Sequence, residues 1–276
     1  MTVVGHTTQA VILARGLGTR MRREGGDSAA PLNAAQEAAA AGGAKGMMPF
    51  ARPFLDDVLS ALADAGVANV ILVVGPDQAD IRKHYTVTAV PDRVRVTFAV
   101  QAEPRGTADA VRAAQSVVTD APFLVLNSDN YYPAGALSAL AALDTSGLVA
   151  FEAESLVRES GIEPSRVLRY ALVDADANGW LRSIREKPDA GDPLALRADR
   201  WVSMNLWRFT PAIFDACASV PPSPRGELEL TDAVTFAIRD GERFRMIPMR
   251  AGVLDLSSRA DVALVASRLA GIRPHP

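Results

Sequence analysis

Residues 10–23 read A-V-I-L-A-R-G-L-G-T-R-M-R-R, and the rest of the chain is organised around them. Residues 9–14 form an apolar, β-branched run of the length of a buried strand, which breaks at a turn holding Gly16 and Gly18. Glycines at such a turn let the backbone come close to a ligand and aim its N–H groups at it, which suits phosphate. Arg20 adds positive charge. The spacing is not that of a Walker A loop, which needs G-x-x-x-x-G-K-[ST]. Taken alone, two glycines and an arginine after a strand fit an ordinary βα turn as well as a nucleotide site, and the downstream sequence has to decide.

Downstream, short apolar runs alternate with helical patterns. Strands are predicted at residues 70–75, 94–100, 123–126 and 147–154, with helices at 53–65, 78–84 and 109–118. In the first of these helices Phe54, Leu55, Val58, Leu59 and Leu62 share one face. Residues 169–174 and 181–186, around an Asn178-Gly179 turn, read as a hairpin, and 201–209 as a further strand. Thr231 reads as the start of a helix to 238, and a closing helix follows Arg259. Such alternation predicts an α/β three-layer sandwich, a largely parallel mixed sheet flanked by helices, with ligands at the carboxyl ends of the strands.

The chain has 276 residues, 49% hydrophobic and 22% charged, which suits one large α/β domain over its full length. A net charge of −3 with no basic block argues against nucleic-acid partners. Cys217 is the only cysteine, so a disulfide framework and a cysteine metal cluster are excluded, and it reads as a small buried apolar residue. No apolar run approaches a membrane span and no signal-type segment opens the chain, so the expectation is a cytoplasmic protein without a membrane partner. Self-association is left open.

Residues 13–20 resemble the G-G-x-G-T-R signature of the sugar-1-phosphate nucleotidylyltransferases, and later segments match that family in the same order. The resemblance spans residues 9–258 and implies the Rossmann-like nucleotide-diphospho-sugar transferase fold, in its short form without a β-helix domain. It places Ala14, Gly16, Leu17, Gly18, Thr19 and Arg20 against the nucleotide. Lys45-Gly46-Met47-Met48-Pro49 resembles the family's K-P-hydrophobic-hydrophobic-P, whose lysine lies near the triphosphate; Gly46 replaces the proline. Arg20 and Lys45 stand 25 positions apart, farther than in the family, and the alanine-rich stretch 27–44 reads as an inserted short helix.

Gln101-Ala102-Glu103-Pro104-Arg105-Gly106-Thr107-Ala108 resembles the family's Q-x-x-P-x-G-T-A, which implies that Gln101 and Gly106 contact the base and that Pro104 and Thr107 belong to the nucleotide site. A primary amide offers a donor beside an acceptor. That complements the imide edge of thymine or uracil and equally O6 and N1–H of guanine, leaving UTP, dTTP and GTP open. Asp129, just past the fourth strand in Asn127-Ser128-Asp129-Asn130, is placed to hold Mg²⁺ through oxygen. The segment resembles the family's G-D-N, with Ser128 for glycine.

Tyr170-Ala171-Leu172 resembles the family's Y-G-V, and Glu186-Lys187-Pro188 its E-K-P. The resemblance gives Glu186 to sugar hydroxyls and Lys187 to the sugar phosphate, with Tyr170, Ala171, Asn205 and Glu227 completing the acceptor side. Residues 225–232, R-G-E-L-E-L-T-D, resemble a thymidylyltransferase segment, and Leu254-Asp255-Leu256-Ser257 the W-x-D-I/V-G-T that brings a second metal carboxylate, Asp255.

The reaction implied is attack of a sugar-1-phosphate on the α-phosphorus of a nucleoside triphosphate. Arg20, Lys45, Asp129 and Lys187 would be the catalytic residues and Mg²⁺ the cofactor. Arg15, Ser128, Ala171 and Ser257 depart from the family pattern, which keeps a non-catalytic nucleotide-sugar-binding homologue open. The echo of D-x-D at 127–130 likewise keeps open a nucleotide-sugar-dependent glycosyltransferase. For Arg15 three readings stand: added charge at phosphate, contact with the base, or a side chain pointing away.

Overall fold

The computed structural model describes residues 6–16, 18–23 and 31–276. In chain order the elements are β1 (Gln9–Leu13), α1 (Thr19–Arg22), α2 (Ala34–Gly42), α3 (Phe54–Asp64), β2 (Asn69–Val74), α4 (Ala79–Lys83), β3 (Arg95–Val100), α5 (Thr107–Ala113) and β4 (Phe123–Asn127). Then come β5 (Asn130–Tyr131), α6 (Ala134–Ala141), β6 (Gly147–Glu152), α7 (Ala153–Ser160), β7 (Ala171–Ala175), β8 (Leu181–Arg185) and β9 (Trp201–Phe209). The chain closes with α8 (Ile213–Ser219), α9 (Leu230–Arg239), β10 (Arg245–Met249), β11 (Leu254–Asp255) and α10 (Asp261–Leu269).

The central sheet runs in the order β10-β6-β9-β4-β1-β2-β3, with the β7–β8 hairpin attached to β9. β1 pairs in parallel with β2 and β4, and β2 with β3, so these four strands end together. β9 is antiparallel to β4, β6 and β7. The sheet is therefore mixed and mostly parallel, as its strand and helix alternation predicts.

Alternate residues of each strand feed two apolar layers. Val11, Ile71, Val73 and Val125 pack on one face with α5, α8 and α9. Ile12, Val70, Leu72 and Leu126 pack on the other with Phe54, Leu55, Val58, Leu59 and Leu62 of α3, all buried. Each of these large side chains contributes about 1.5–3 kcal/mol by leaving water. Cys217 is buried in the first layer, and burial pushes its thiol up to about 12.

Two departures from simple pairing bear on the site. β9 bulges against β6 between the pairs Leu148–Trp207 and Ala150–Ser203, and within that bulge Asn205 takes a left-handed φ of 56°. Asparagine tolerates this conformation better than most residues. The bend lets β9 pair with β4 through residues 207–209 and with β7 through residues 201–203. Separately, β5 and β11 form a small antiparallel ladder that sets Asp255 opposite Asn130.

Several boundaries differ from expectation. The alanine-rich helix occupies Ala34–Gly42, opened by an Asn33–Gln36 capping box and closed by Gly43 in left-handed conformation; residues 27–30 lie outside the described chain. Residues 153–154, expected to continue a strand, open α7. Thr231 does not cap α9: that position falls to Glu229, and the first helical N–H, from Leu230, donates to Thr107 Oγ1 at 2.9 Å.

Candidate active site

The carboxyl ends of β1, β3 and β4 surround a hollow of about 330 Å³, walled by Ala14, Arg15, Gly16, Thr19, Lys45, Gln101, Pro104, Gly106, Thr107, Asn127, Asp129 and Glu227 among others. Eight of the residues expected at the nucleotide or the metal thus meet in one place, although they come from segments over 100 positions apart. A second hollow of about 370 Å³ adjoins it behind Arg15, Gly16 and Lys45, and the last turn of α2 closes it.

Gly16 has open space where a Cβ would stand, as a residue facing a ligand should. Gly18 serves another purpose. With φ of 59°, it abuts Gly43, whose backbone oxygen would lie 2.4 Å from an added Cβ. The glycine therefore seats the end of α2 against the loop. Leu17 lies outside the described residues. Arg20, expected at the leaving phosphates, is exposed on α1 and is in the wall of neither hollow.

Lys45 follows α2 on a 3-10 turn, and its Nζ lies 2.7 Å from Asp129 Oδ2. A Cβ added at Gly46 behind it would meet Ser128 at ordinary contact distance, so the two departures from the family pattern are neighbours. Asp255 is brought to Asp129 by backbone: the β5–β11 ladder sets it against Asn130, and Leu256 N–H donates to the Asp129 carbonyl at 2.9 Å.

Asp255 is buried and richly supported. Its Oδ2 accepts from Tyr170 Oη at 2.6 Å, Ser257 Oγ at 2.6 Å and Arg166 Nη2 at 3.0 Å, while Oδ1 accepts only a long 3.3 Å bond from Asn130. Burial, then the nearby Asp129 charge, raise its carboxyl pKa, against the pull of the Ser257 and Tyr170 donors. Tyr170 is therefore occupied at Asp255, contrary to its expected place at the sugar. Its own hydroxyl is held far above the usual phenol range by burial and the Asp255 charge, so it remains a donor. Ser257, a departure from the family glycine, contributes one of those donors.

Among the described residues no group of three or more His, Cys, Asp or Glu forms a metal cage. Mg²⁺ does not need one, because it binds through one or two carboxylates together with substrate phosphates and water. Asp129, with only Lys45 on one oxygen among the described residues, and Oδ1 of Asp255 supply such a pair of hard oxygens. The residues fit the ion.

Gln101 is buried at the end of β3. Its Nε2 donates to Gly106 O at 3.1 Å and Asp109 Oδ2 at 2.9 Å, and the carboxylate acceptor settles which end of the amide is nitrogen. Both donors are spent within the protein, which corrects the expectation that the amide gives a donor and an acceptor to the base. Only Oε1 is left for a ligand. Gly106 N–H, which makes no hydrogen bond among the described residues, is the neighbouring donor.

The Gln101–Ala108 and Arg225–Asp232 motifs are zipped together. Leu228 N–H donates to Arg105 O at 2.7 Å, and Ala108 N–H to Leu228 O at 2.8 Å. At Gly106, with φ of 119°, an added Cβ would stand 2.5 Å from Leu228 O.

On the acceptor side the structure is more open. Lys187 is exposed, and its φ of 45° is rare for a non-glycine residue. Its Nζ is 3.7 Å from Glu186, which also lies 3.7 Å from Arg225. Burial raises the Glu186 carboxyl. Glu186 faces a separate hollow of about 570 Å³ beside Pro222, Arg225 and Glu229 and is not in the wall of the main hollow, unlike Glu227. Ala171 is buried in β7 opposite Ser203. Asn205 bonds Asn127 and Trp207 at 3.4 and 3.3 Å, so both ends of its amide are engaged. Arg166, Asp109 and Ser257 were not predicted as site residues; the two carboxylates that Arg166 meets lie 89 and 95 positions away, and no local pattern marks it.

Fold and site together define an α/β nucleotide-binding transferase. A family model described as nucleotidyl transferase matches residues 39–256. The chain belongs to that family. It is 30% identical over 256 residues to UTP–glucose-1-phosphate uridylyltransferase AglF of Haloferax volcanii, covering 92% of this chain and 93% of that protein. It is 28% identical to a glucose-1-phosphate thymidylyltransferase of Streptomyces antibioticus, covering 92% of this chain but 64% of that longer protein. The fold matches that of a UDP-glucose pyrophosphorylase solved with UDP-glucose, with a TM-score of 0.72 over 97% of this chain and 100% of that one at 16% identity. A UTP-bound relative from Acinetobacter baumannii superposes with the same TM-score at 20% identity, over 98% of this chain and 96% of that one.

Proposed function

We propose that the chain joins a nucleoside triphosphate to a sugar-1-phosphate, giving a nucleoside-diphosphate sugar and pyrophosphate, in a Mg²⁺-dependent reaction. The observation that carries this reading is the meeting of Lys45 and Asp129 in one hollow with the Gln101–Gly106 loop, with Asp255 brought up behind Asp129 by the β5–β11 ladder. A phosphate oxygen of the acceptor attacks the α-phosphorus, a new P–O bond forms, and the bond from the α-phosphorus to the bridging oxygen of pyrophosphate breaks. The acceptor phosphate is anionic near neutral pH, so no side chain has to remove a proton. The protein's task is to hold two polyanions in line and to balance charge on the leaving group.

Lys45 supplies fixed positive charge at the triphosphate. Gly16 lets the loop backbone approach it, and Gln101 Oε1 with Gly106 N–H receives an N–H/C=O edge of uracil, thymine or guanine. Lys187 docks the acceptor phosphate, and Glu186 and Glu227 its hydroxyls. Asp129 and Asp255 would hold Mg²⁺, which supplies neutralising charge between the phosphates.

The test is pyrophosphate release from purified protein with Mg²⁺, each of UTP, dTTP and GTP, and a panel of sugar-1-phosphates. Asp129→Ala should lower turnover by roughly a hundred-fold or more, as the loss of a charge-positioning group does, while the chain still folds. Silence of the unaltered protein across the whole panel would sink the proposal.

A further inference from the structure

Arg15 stands where the family has a small residue, and its side chain has a defined place. It runs from the end of β1 across Gly75, at the end of β2, to the end of β3. Nη2 donates to Ala102 O at 2.9 Å. A Cβ on Gly75 would lie 3.0 Å from Arg15 Nε, so the guanidinium stem rests on that glycine. Nε and Nη1 are covered and have no acceptor among the described residues, an unusual state for a group that carries a full charge. Arg15 forms part of the wall of both hollows, next to Gln101.

The two flanks of Gln101 differ. Gly106 and Asp109 approach it from the α5 side of the sheet, where its Nε2 is anchored. Arg15 reaches the same strand end from β1, its Nη2 on the carbonyl of Ala102, the residue after Gln101, and it lines the same hollow as Gln101. A base set against Gln101 Oε1 thus has two donors in the wall of the same hollow, Gly106 N–H and the Arg15 guanidinium. Two donors and an acceptor together complement an acceptor–donor–acceptor edge. Uracil and thymine carry one, in O4, N3–H and O2. Guanine matches only two of the three positions, because an amino group, itself a donor, takes the place of O2.

We propose that Arg15 is a base-reading residue that selects a 2,4-dioxopyrimidine triphosphate over GTP by donating to the O2 carbonyl. The proposal rests on the nucleotidyl-transfer reading and deepens it. Donor facing donor both loses a hydrogen bond and leaves two polar groups desolvated, which makes the discrimination sharp.

The test is the dissociation constants of UTP, dTTP, GTP and 2-thio-UTP, measured by calorimetry with Mg²⁺ for the unaltered protein, Arg15→Met and Arg15→Lys. The unaltered protein should bind UTP and dTTP at least about ten-fold tighter than GTP, and 2-thio-UTP, a poorer acceptor, several-fold weaker than UTP. Arg15→Met keeps the stem on Gly75 and removes the donors. It should bring UTP and GTP to within about two-fold of each other and abolish the penalty for sulfur. Arg15→Lys keeps the charge without the planar fork, so it should lower the UTP-to-GTP ratio while holding overall affinity, and it carries the test if Arg15→Met does not fold. Equal weakening of all four nucleotides would make Arg15 a phosphate anchor and overturn the proposal. So would an unchanged ratio, or a preference for GTP in the unaltered protein. Failure of every triphosphate to bind would instead bring down the nucleotidyl-transfer reading on which this one stands.

Discussion

Asp255 shows how much of a carboxylate's behaviour is set by residues that touch no ligand. Tyr170, Ser257 and Arg166 all converge on its Oδ2, leaving Oδ1 turned to Asn130. Supporting bonds of this kind orient a metal-binding oxygen. Tyr170→Phe should therefore raise the Mg²⁺ concentration for half-maximal pyrophosphate release by roughly ten-fold while leaving the unfolding midpoint nearly unchanged. A different outcome is expected at Asp57, a buried carboxyl that burial, then the Asp56 charge, push from 3.8 up to about 7. Between those values the folded chain holds a proton there that the unfolded chain has lost, so stability falls as pH rises through the window. Asp57→Asn should stabilise the protein by roughly 1–3 kcal/mol at pH 8 and by almost nothing at pH 4. Denaturant midpoints of the two proteins across that range would show the gap opening and then levelling off.

Among the elements, loops that read as independent motifs turn out to be mutual supports. The Gln101–Ala108 loop and the segment before α9 share three backbone or hydroxyl bonds, and Gly106 is the point of closest approach. Gly106→Ala should cost roughly 1–3 kcal/mol in denaturant unfolding, because its positive φ and the Leu228 backbone both exclude a methyl group. The inserted helix α2 is fastened in a different way. Arg259 Nη1 reaches Glu37 Oε2 at 2.6 Å and its Nε donates to Met21 O at 3.0 Å, tying α2 and α1 to the start of α10. Glu37 is half exposed, so Arg259→Ala should change global stability by under about 1 kcal/mol. Amide exchange across Ala34–Gly42 should nevertheless quicken, since the tether is that helix's link to the carboxyl-terminal segment.

At the scale of the molecule, the parallel strands and the hollow at their ends were legible because β3 and β4 are short apolar runs, each followed closely by a polar residue that lines it. Asp129 and Gln101 are such residues. β10 was not legible: its five residues, Arg245–Met249, include Pro248 and lie at the sheet edge, where a missing N–H is tolerated and no hydrophobic run is needed. Tyr170, Arg166 and Asp109 were missed or misplaced for another reason. Their roles are set by partners brought up by tertiary folding, and side-chain chemistry alone does not say which partner arrives. Arg20 carries the motif's positive charge but stands exposed on α1, outside the wall of either hollow. Among the described residues no helix is long and apolar enough to cross a membrane, in line with the absence of a long apolar run.

β9 is continuous from β4, beside the main hollow, to β7, on the expected acceptor side, and it bends at Asn205, whose amide bonds Asn127 in the wall of that hollow. A hairpin nudged by an arriving sugar phosphate would thus pull on the opposite compartment, so the two ligands should report on each other's occupancy in equal measure. Asn205→Gly preserves the left-handed backbone but cuts the side-chain link. Calorimetric titration of either substrate with the other present should show the mutual effect in the parent protein and a smaller one in the variant. One bent strand would then act as a lever between two half-sites, keeping the enzyme from committing a triphosphate before its companion is seated.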